Sequence, residues 1–102
     1  MCDALGKHAA EGRGVAAICA SPSILAELGI LKGKHATANP HFQDVVAEHG
    51  ALLEPAKKAV TDGNVITSQG MATAVWFGLE IVKRYVPAEV VEHVKEGIVL
   101  MD

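Results

Sequence analysis

The stretch Val15-Ala16-Ala17-Ile18-Cys19-Ala20-Ser21-Pro22-Ser23 decides how this chain is read. Four apolar residues without polar alternation predict a strand buried on both faces, as in a parallel sheet covered by helices, although so short a run leaves a helical segment open. Ser21 can cap a helix, and Pro22 suits a first helical position because its ring fixes φ and an N–H is not needed there. Ile24 to Leu28 continues the helix until Gly29 stops it. Cys19 therefore falls at the junction of strand and helix, the place of a nucleophile elbow. There a sharp turn lifts a side chain out of the sheet, beside N–H groups that have no helical partner.

Working outward, Asp3 is expected to cap a short helix through Ala10, which Gly12 and Gly14 break. Lys34-His35-Ala36-Thr37 reads as a short strand, and Pro40 opens a polar helical stretch from Phe42 to Glu48 that Gly50 ends. Lys57 to Thr61 and Asn64 to Ser68 flank Asp62-Gly63, a dipeptide that accepts the positive backbone angles of a tight hairpin. Gly70 releases the chain into a helix from Met71 to Tyr85, whose face Val75, Trp76, Leu79 and Val82 is expected in the core. Pro87 starts a last helix to about Glu96, followed by the apolar tail Ile98-Val99-Leu100. Strands alternating with helices predict a three-layer α/β architecture.

With 102 residues, half of them apolar, the chain suffices for one compact core and not for two domains. Net charge is −3, and no basic run is present that would neutralise a row of phosphates, so nucleic acid is not an expected partner. Apolar stretches end well short of the roughly twenty residues of a bilayer span, and no basic segment precedes an apolar one at the amino terminus. A cytoplasmic protein without membrane contact is the expectation. Cys2 and Cys19 read as thiols, since they form neither a disulfide scaffold nor a CxxC pair. His8, His35, His41, His49 and His93 include no pair at the i, i+4 spacing of a helical metal site, so no metal is expected. His8 and His93 sit in polar helical stretches and read as solvated.

Amides at a helix start favour a nearby anion by about 0.3–1 kcal/mol, too little alone to activate a thiol strongly. A further donor or cation is needed, and no residue of the chain declares itself as that donor. Loops at the carboxyl ends of parallel strands gather at one sheet edge, which makes His41 the internal candidate to approach Cys19, with a plain surface role as its alternative. Ser68-Gln69-Gly70-Met71-Ala72-Thr73 joins a strand to a helix, so Ser68 and Gly70 can line a small anionic pocket; ordinary helix capping explains the same residues.

Taken with Val65-Ile66-Thr67-Ser68-Gln69-Gly70, Ala74 to Val82 and Val94-Lys95-Glu96-Gly97-Ile98-Val99-Leu100, the elbow resembles the ThiJ/PfpI family, that of the parkinsonism-associated protein deglycase. The resemblance runs in order through nearly all of the chain. It implies a flavodoxin-like three-layer sandwich, related to class I glutamine amidotransferases, of which residues 1–102 resemble the carboxy-terminal half of a single domain. The family's acidic residue, a glutamate that donates a hydrogen bond to the cysteine sulfur, belongs to the amino-terminal half. The resemblance therefore implies a second polypeptide carrying that half, and a homodimer of the completed domain.

Carried over by position, Cys19 is the nucleophile and redox-sensitive thiol, and the N–H of Ala20 forms part of an oxyanion site. Some relatives carry a histidine in a T-H-P loop where this chain has Asn39, and a G-P-G-T turn where it has Gly70-Met71-Ala72-Thr73. Asn39 cannot act as a base, so proton transfer would fall to the absent glutamate, a water or His41. Asn39 and His41 join Ser68 and Gly70 as the possible pocket residues. The implied activity is that of a cofactor-free glyoxalase III-like lyase or protein deglycase. Its thiolate attacks a small dicarbonyl such as methylglyoxal, giving a hemithioacetal that rearranges to a hydroxy acid. The alternatives are a redox sensor or chaperone that works by oxidation of Cys19, a relative with a thiamine-biosynthesis or peptidase label, and an inactive structural fragment.

Overall fold

The computed structural model describes residues 2–98, with side chains from residue 4 onward. In chain order the elements are α1 (Cys2–Ala10), β1 (Val15–Ile18), α2 (Ser21–Glu27), β2 (His35–Ala36), a 3-10 turn (Pro40–Phe42) and α3 (Gln43–Glu48). There follow β3 (Leu52–Leu53), β4 (Ala59–Asp62), β5 (Val65–Ser68), a second 3-10 turn (Met71–Thr73), α4 (Ala74–Tyr85) and α5 (Ala88–Gly97). The main sheet has the order β1-β5-β4. β1 runs parallel to β5, with Val15 opposite Val65 and Ile18 opposite Ser68, while β4 and β5 form the expected antiparallel hairpin.

Register and the period-two alternation of strands sort the sheet into two faces. Val15, Ala17, Val60, Asp62, Val65 and Thr67 share one. On that face Val15, Ala17 and Val65 pack with Leu25 and Ala26 of α2, with Leu31 and Ala36, and with Leu5 and Ala9 of α1. The segment around β2 is tied to the same face by two hydrogen bonds. The His35 N–H donates to Asp62 Oδ2 at 2.7 Å, and the Thr37 N–H donates to Thr67 Oγ1 at 2.9 Å. The opposite face meets α4, where Thr61 Oγ1 donates to Glu80 Oε2 at 2.6 Å and Leu79 is buried. Helices therefore flank the sheet on both sides, and the three-layer α/β arrangement holds.

Several boundaries differ from expectation. β1 is not covered on both faces: Ala16 is exposed on the α4 side, and β1 is an edge strand among the described residues. α1 begins at Cys2, so Asp3 lies inside the helix it was expected to cap. The cap of α2 is Ala20, already helical at φ −84° and ψ −23°, which makes Ser21 and Pro22 the first two helical residues. The hairpin loop is Gly63-Asn64, because Asp62 still pairs with Val65, and Gly63 takes the positive φ of 60°. Lys57 and Lys58 precede β4, and Leu52–Leu53 forms an unforeseen parallel pairing with His35–Ala36. On α4, Leu79 is buried as expected, whereas Trp76 and Val82 are half-buried and Val75 is exposed. Ile98 is exposed beyond α5; Val99 and Leu100 lie outside the described residues.

Candidate functional site

Cys19 has φ +68°, the one positive value on a non-glycine residue among the described residues. Left-handed backbone costs an L-residue roughly 1–2 kcal/mol, so the surroundings must impose it. They do so through both neighbouring peptide groups. The Cys19 N–H donates to the Ser68 carbonyl at 3.1 Å, carrying the β1–β5 ladder one residue past the strand, and the Cys19 carbonyl accepts the Asn39 N–H at 2.8 Å. The turn is completed at Cys19, so Ala20 enters α2 at once and Ser23, not Ser21, bonds the helix entry: its Oγ donates to the Ala20 carbonyl at 2.6 Å. Cys19 stands exposed at the carboxyl end of β1 as a free thiol. The Ala20 N–H donates no hydrogen bond among the described residues.

Asn39 caps the Pro40–Phe42 turn, its Oδ1 accepting the His41 N–H at 3.0 Å. Its Nδ2 donates to Cys19 Sγ at 3.8 Å. The side chain that reaches the sulfur is thus Asn39, whereas His41 joins the site through its backbone and its own side chain is exposed. Gly70 stands against Asn39, where an added Cβ would lie 3.9 Å from Nδ2. Ser68 contributes its carbonyl and not its hydroxyl. It is fully buried on the α4 face, where its Oγ donates to the Lys58 carbonyl at 2.5 Å and meets Thr73 Oγ1 at 2.7 Å. Thr73 Oγ1 also accepts the Gly70 N–H at 3.0 Å and donates to the Gly70 carbonyl at 2.9 Å. Two hydroxyls are consumed in holding the turn after β5, so the Ser68 hydroxyl lines no pocket.

The structure therefore gathers Cys19, the Ala20 amide, the Asn39 carboxamide and the Gly70 backbone. The sequence makes Asn39 a possible pocket residue that cannot be a base; its part as a donor is what local pattern leaves out, though Asn before Pro is a recognisable turn and cap signal. Thr73 takes the helix-capping part that the sequence offers as the alternative for residues 68–73, its hydroxyl bonding Gly70. Among the described residues no three His, Cys, Asp or Glu side chains gather to hold a metal ion. The clearly perturbed acid lies away from this edge, on α4. Burial pushes the Glu80 carboxyl up, but the hydrogen bonds from Thr61 and Lys83 and the charges of Lys83 and Lys95 outweigh it and hold it below its ordinary value of 4.5.

An α/β sheet whose strand β1 ends in an exposed cysteine on left-handed backbone, beside a free amide and a carboxamide, places the chain among α/β folds with a cysteine at a strand-to-helix elbow. The sequence model of the DJ-1/PfpI family matches residues 1–84, and the chain belongs to that family. Protein dj-1beta of Drosophila melanogaster is 35% identical over 98 residues, covering 96% of this chain and 52% of the relative. The crystal structure of Drosophila DJ-1beta superposes with a TM-score of 0.88 at 34% identity, covering 99% of this chain and 54% of the other. An isonitrile hydratase of Pseudomonas putida is 30% identical over 94 residues, with 91% of this chain and 40% of the relative covered. A deglycase of Pyrococcus horikoshii is 35% identical over 77 residues, with 76% and 46% covered. The chain spans about half the length of the curated relatives it matches. The fold is thus the flavodoxin-like α/β fold of this family, present in part.

Proposed function

We propose that Cys19 is the nucleophile of a cofactor-free glyoxalase- or deglycase-type reaction on small dicarbonyls. The observation that carries this reading is the exposed sulfur on left-handed backbone, within reach of the Asn39 amide. The thiolate adds to the aldehyde carbon of a substrate such as methylglyoxal. A C–S bond forms, the carbonyl π pair moves to oxygen beside the Ala20 N–H, and a proton completes the hemithioacetal. Hydrogen transfer from the sulfur-bearing carbon to its neighbour gives a hydroxyacyl thioester. Water then releases the hydroxy acid and returns the thiol, with no net oxidation. A similar protein named a deglycase supports the dicarbonyl class, and another named an isonitrile hydratase marks how far chemistry varies among relatives.

The reading includes the amino-terminal part of the domain, which covers the open side of β1 and brings an acid to the sulfur. The completed domain is a homodimer working in the cytoplasm. Lactate release from methylglyoxal, measured on the complete domain with wild-type chain and with Cys19→Ala, is the test. Wild-type turnover with none in the variant is expected, and equal turnover in both ends the proposal.

The exposure of the same thiol favours one other reading, a redox sensor in which peroxide converts Cys19 to sulfinic acid and nothing turns over. Peroxide titration followed by peptide mass spectrometry tests it. Modification of Cys2 long before Cys19 argues against a sensor.

A further inference from the structure

Asn39 is held at every polar group it has. Its N–H donates to the Cys19 carbonyl at 2.8 Å, and its carbonyl accepts the Phe42 N–H at 2.7 Å. Its Oδ1 accepts the His41 N–H at 3.0 Å. A carboxamide has an acceptor at one end and two donors at the other. Committing Oδ1 to the cap therefore turns the NH2 group toward the sulfur, where Nδ2 lies 3.8 Å from Sγ. Even a Cβ added at Gly70 would lie 3.9 Å from Nδ2, so the turn after β5 leaves the amide room. The titratable side chain of this turn is that of His41, which is exposed. Residues 21–23 at the start of α2 and residues 69–73 after β5 carry no titratable group.

We propose that the Asn39 carboxamide is the hydrogen-bond donor this chain itself supplies to Cys19 Sγ, locked in the donor orientation by the cap on its oxygen. It directs the sulfur and donates to the negative charge carried there when it attacks. The inference rests on Cys19 as the nucleophile and names the residue that serves it. A carboxamide gains and loses no proton in the neutral range, so this support is constant with pH, unlike that of an imidazole.

The test follows iodoacetamide alkylation of Cys19 in the complete domain as a function of pH, with peptide mass spectrometry separating Cys19 from the other cysteines. Asn39→Asp keeps the acceptor that caps His41 and nearly the same shape, but puts a carboxylate against the sulfur. It is expected to slow alkylation about tenfold at neutral pH and to approach the wild-type rate at high pH, where every thiol is ionised. Asn39→Ser keeps a cap acceptor but loses the carboxamide NH2 and its reach, and is expected to be about threefold slower, while His41→Gln is unchanged. Asn39→His is expected to restore the rate and add a second limb near the ordinary imidazole value of about 6.5. Asn39→Asp reacting at the wild-type rate throughout, with wild-type circular dichroism, overturns the proposal. If the variants behave as expected but wild type forms no lactate from methylglyoxal, the substrate class is wrong and the role of Asn39 stands.

Discussion

At the scale of single residues, Cys19 occupies backbone that glycine adopts more readily than any other residue. Its φ of +68° is imposed by the hydrogen bonds to Ser68 and Asn39, both of which use the peptide and leave the side chain uninvolved. Cys19→Ala therefore keeps the strain, and Cys19→Gly removes it. The glycine variant should be more stable than the alanine variant by about 1 kcal/mol in urea unfolding, after its larger unfolded-state entropy offsets part of the relief. An alanine variant equal to or more stable than glycine would show that the elbow is not strained. Cys19 was legible because the apolar run, the small residues and the proline around it describe a strand passing into a helix. Asn39 was not, because its role depends on the loop between β2 and α3 folding back against the elbow, a contact between residues 19 and 39 that no local pattern announces.

At the scale of elements, turns separate into those that need glycine and those that merely contain it. Gly63 opens the two-residue hairpin loop at φ +60°, and a Cβ there would lie 3.3 Å from Lys34 Nζ, the mobile end of a long side chain. The backbone angle, not the space, decides the outcome. Gly63→Ala should destabilise by about 1 kcal/mol. Gly70 has an extended φ of 175° with only ordinary contact ahead of it, so Gly70→Ala should stay within about 0.5 kcal/mol of wild type. Thermal or urea unfolding of both variants checks the contrast, and an equal loss in the two would refute it. Strand β1 coincides with its apolar run because glycines and the elbow bound it on either side. Its single-sided burial was hidden, since it reflects what lies across its free edge. The start of α2 was misplaced for a similar reason: the cap position follows from the angle at Cys19, and long-range hydrogen bonds set that angle. Leu52–Leu53 was invisible as a strand because two residues carry no period, and its partner lies at His35–Ala36.

At the scale of the whole molecule, the layers are joined unevenly. The face toward α1 and α2 is sealed by a cluster of aliphatic side chains, whereas the α4 face combines buried Leu79 with a polar tie, Thr61 to Glu80 to Lys83. The accessible surface of 6155 Å² exceeds the roughly 5,500 Å² usual for a folded monomer of 10.7 kDa, in keeping with a chain that holds part of a domain. The tie across the α4 face makes stability depend on pH in a definite direction. The Glu80 carboxyl lies below its ordinary value of 4.5 despite burial, which pushes it up, because Thr61 and Lys83 bond the charged form and Lys95 adds its charge. A folded-state value lower than the unfolded one stabilises the fold above the unfolded value, and that contribution is lost as pH falls through the folded value. Glu80→Gln keeps an acceptor for Thr61 and removes the charge. The stability difference between wild type and Glu80→Gln should therefore be constant from pH 7 to about 5 and shrink below about 4.5. Urea midpoints for both proteins at pH 7, 5, 4 and 3 measure it. A gap unchanged at pH 3 would mean that the charge on Glu80 does not hold α4 to the sheet.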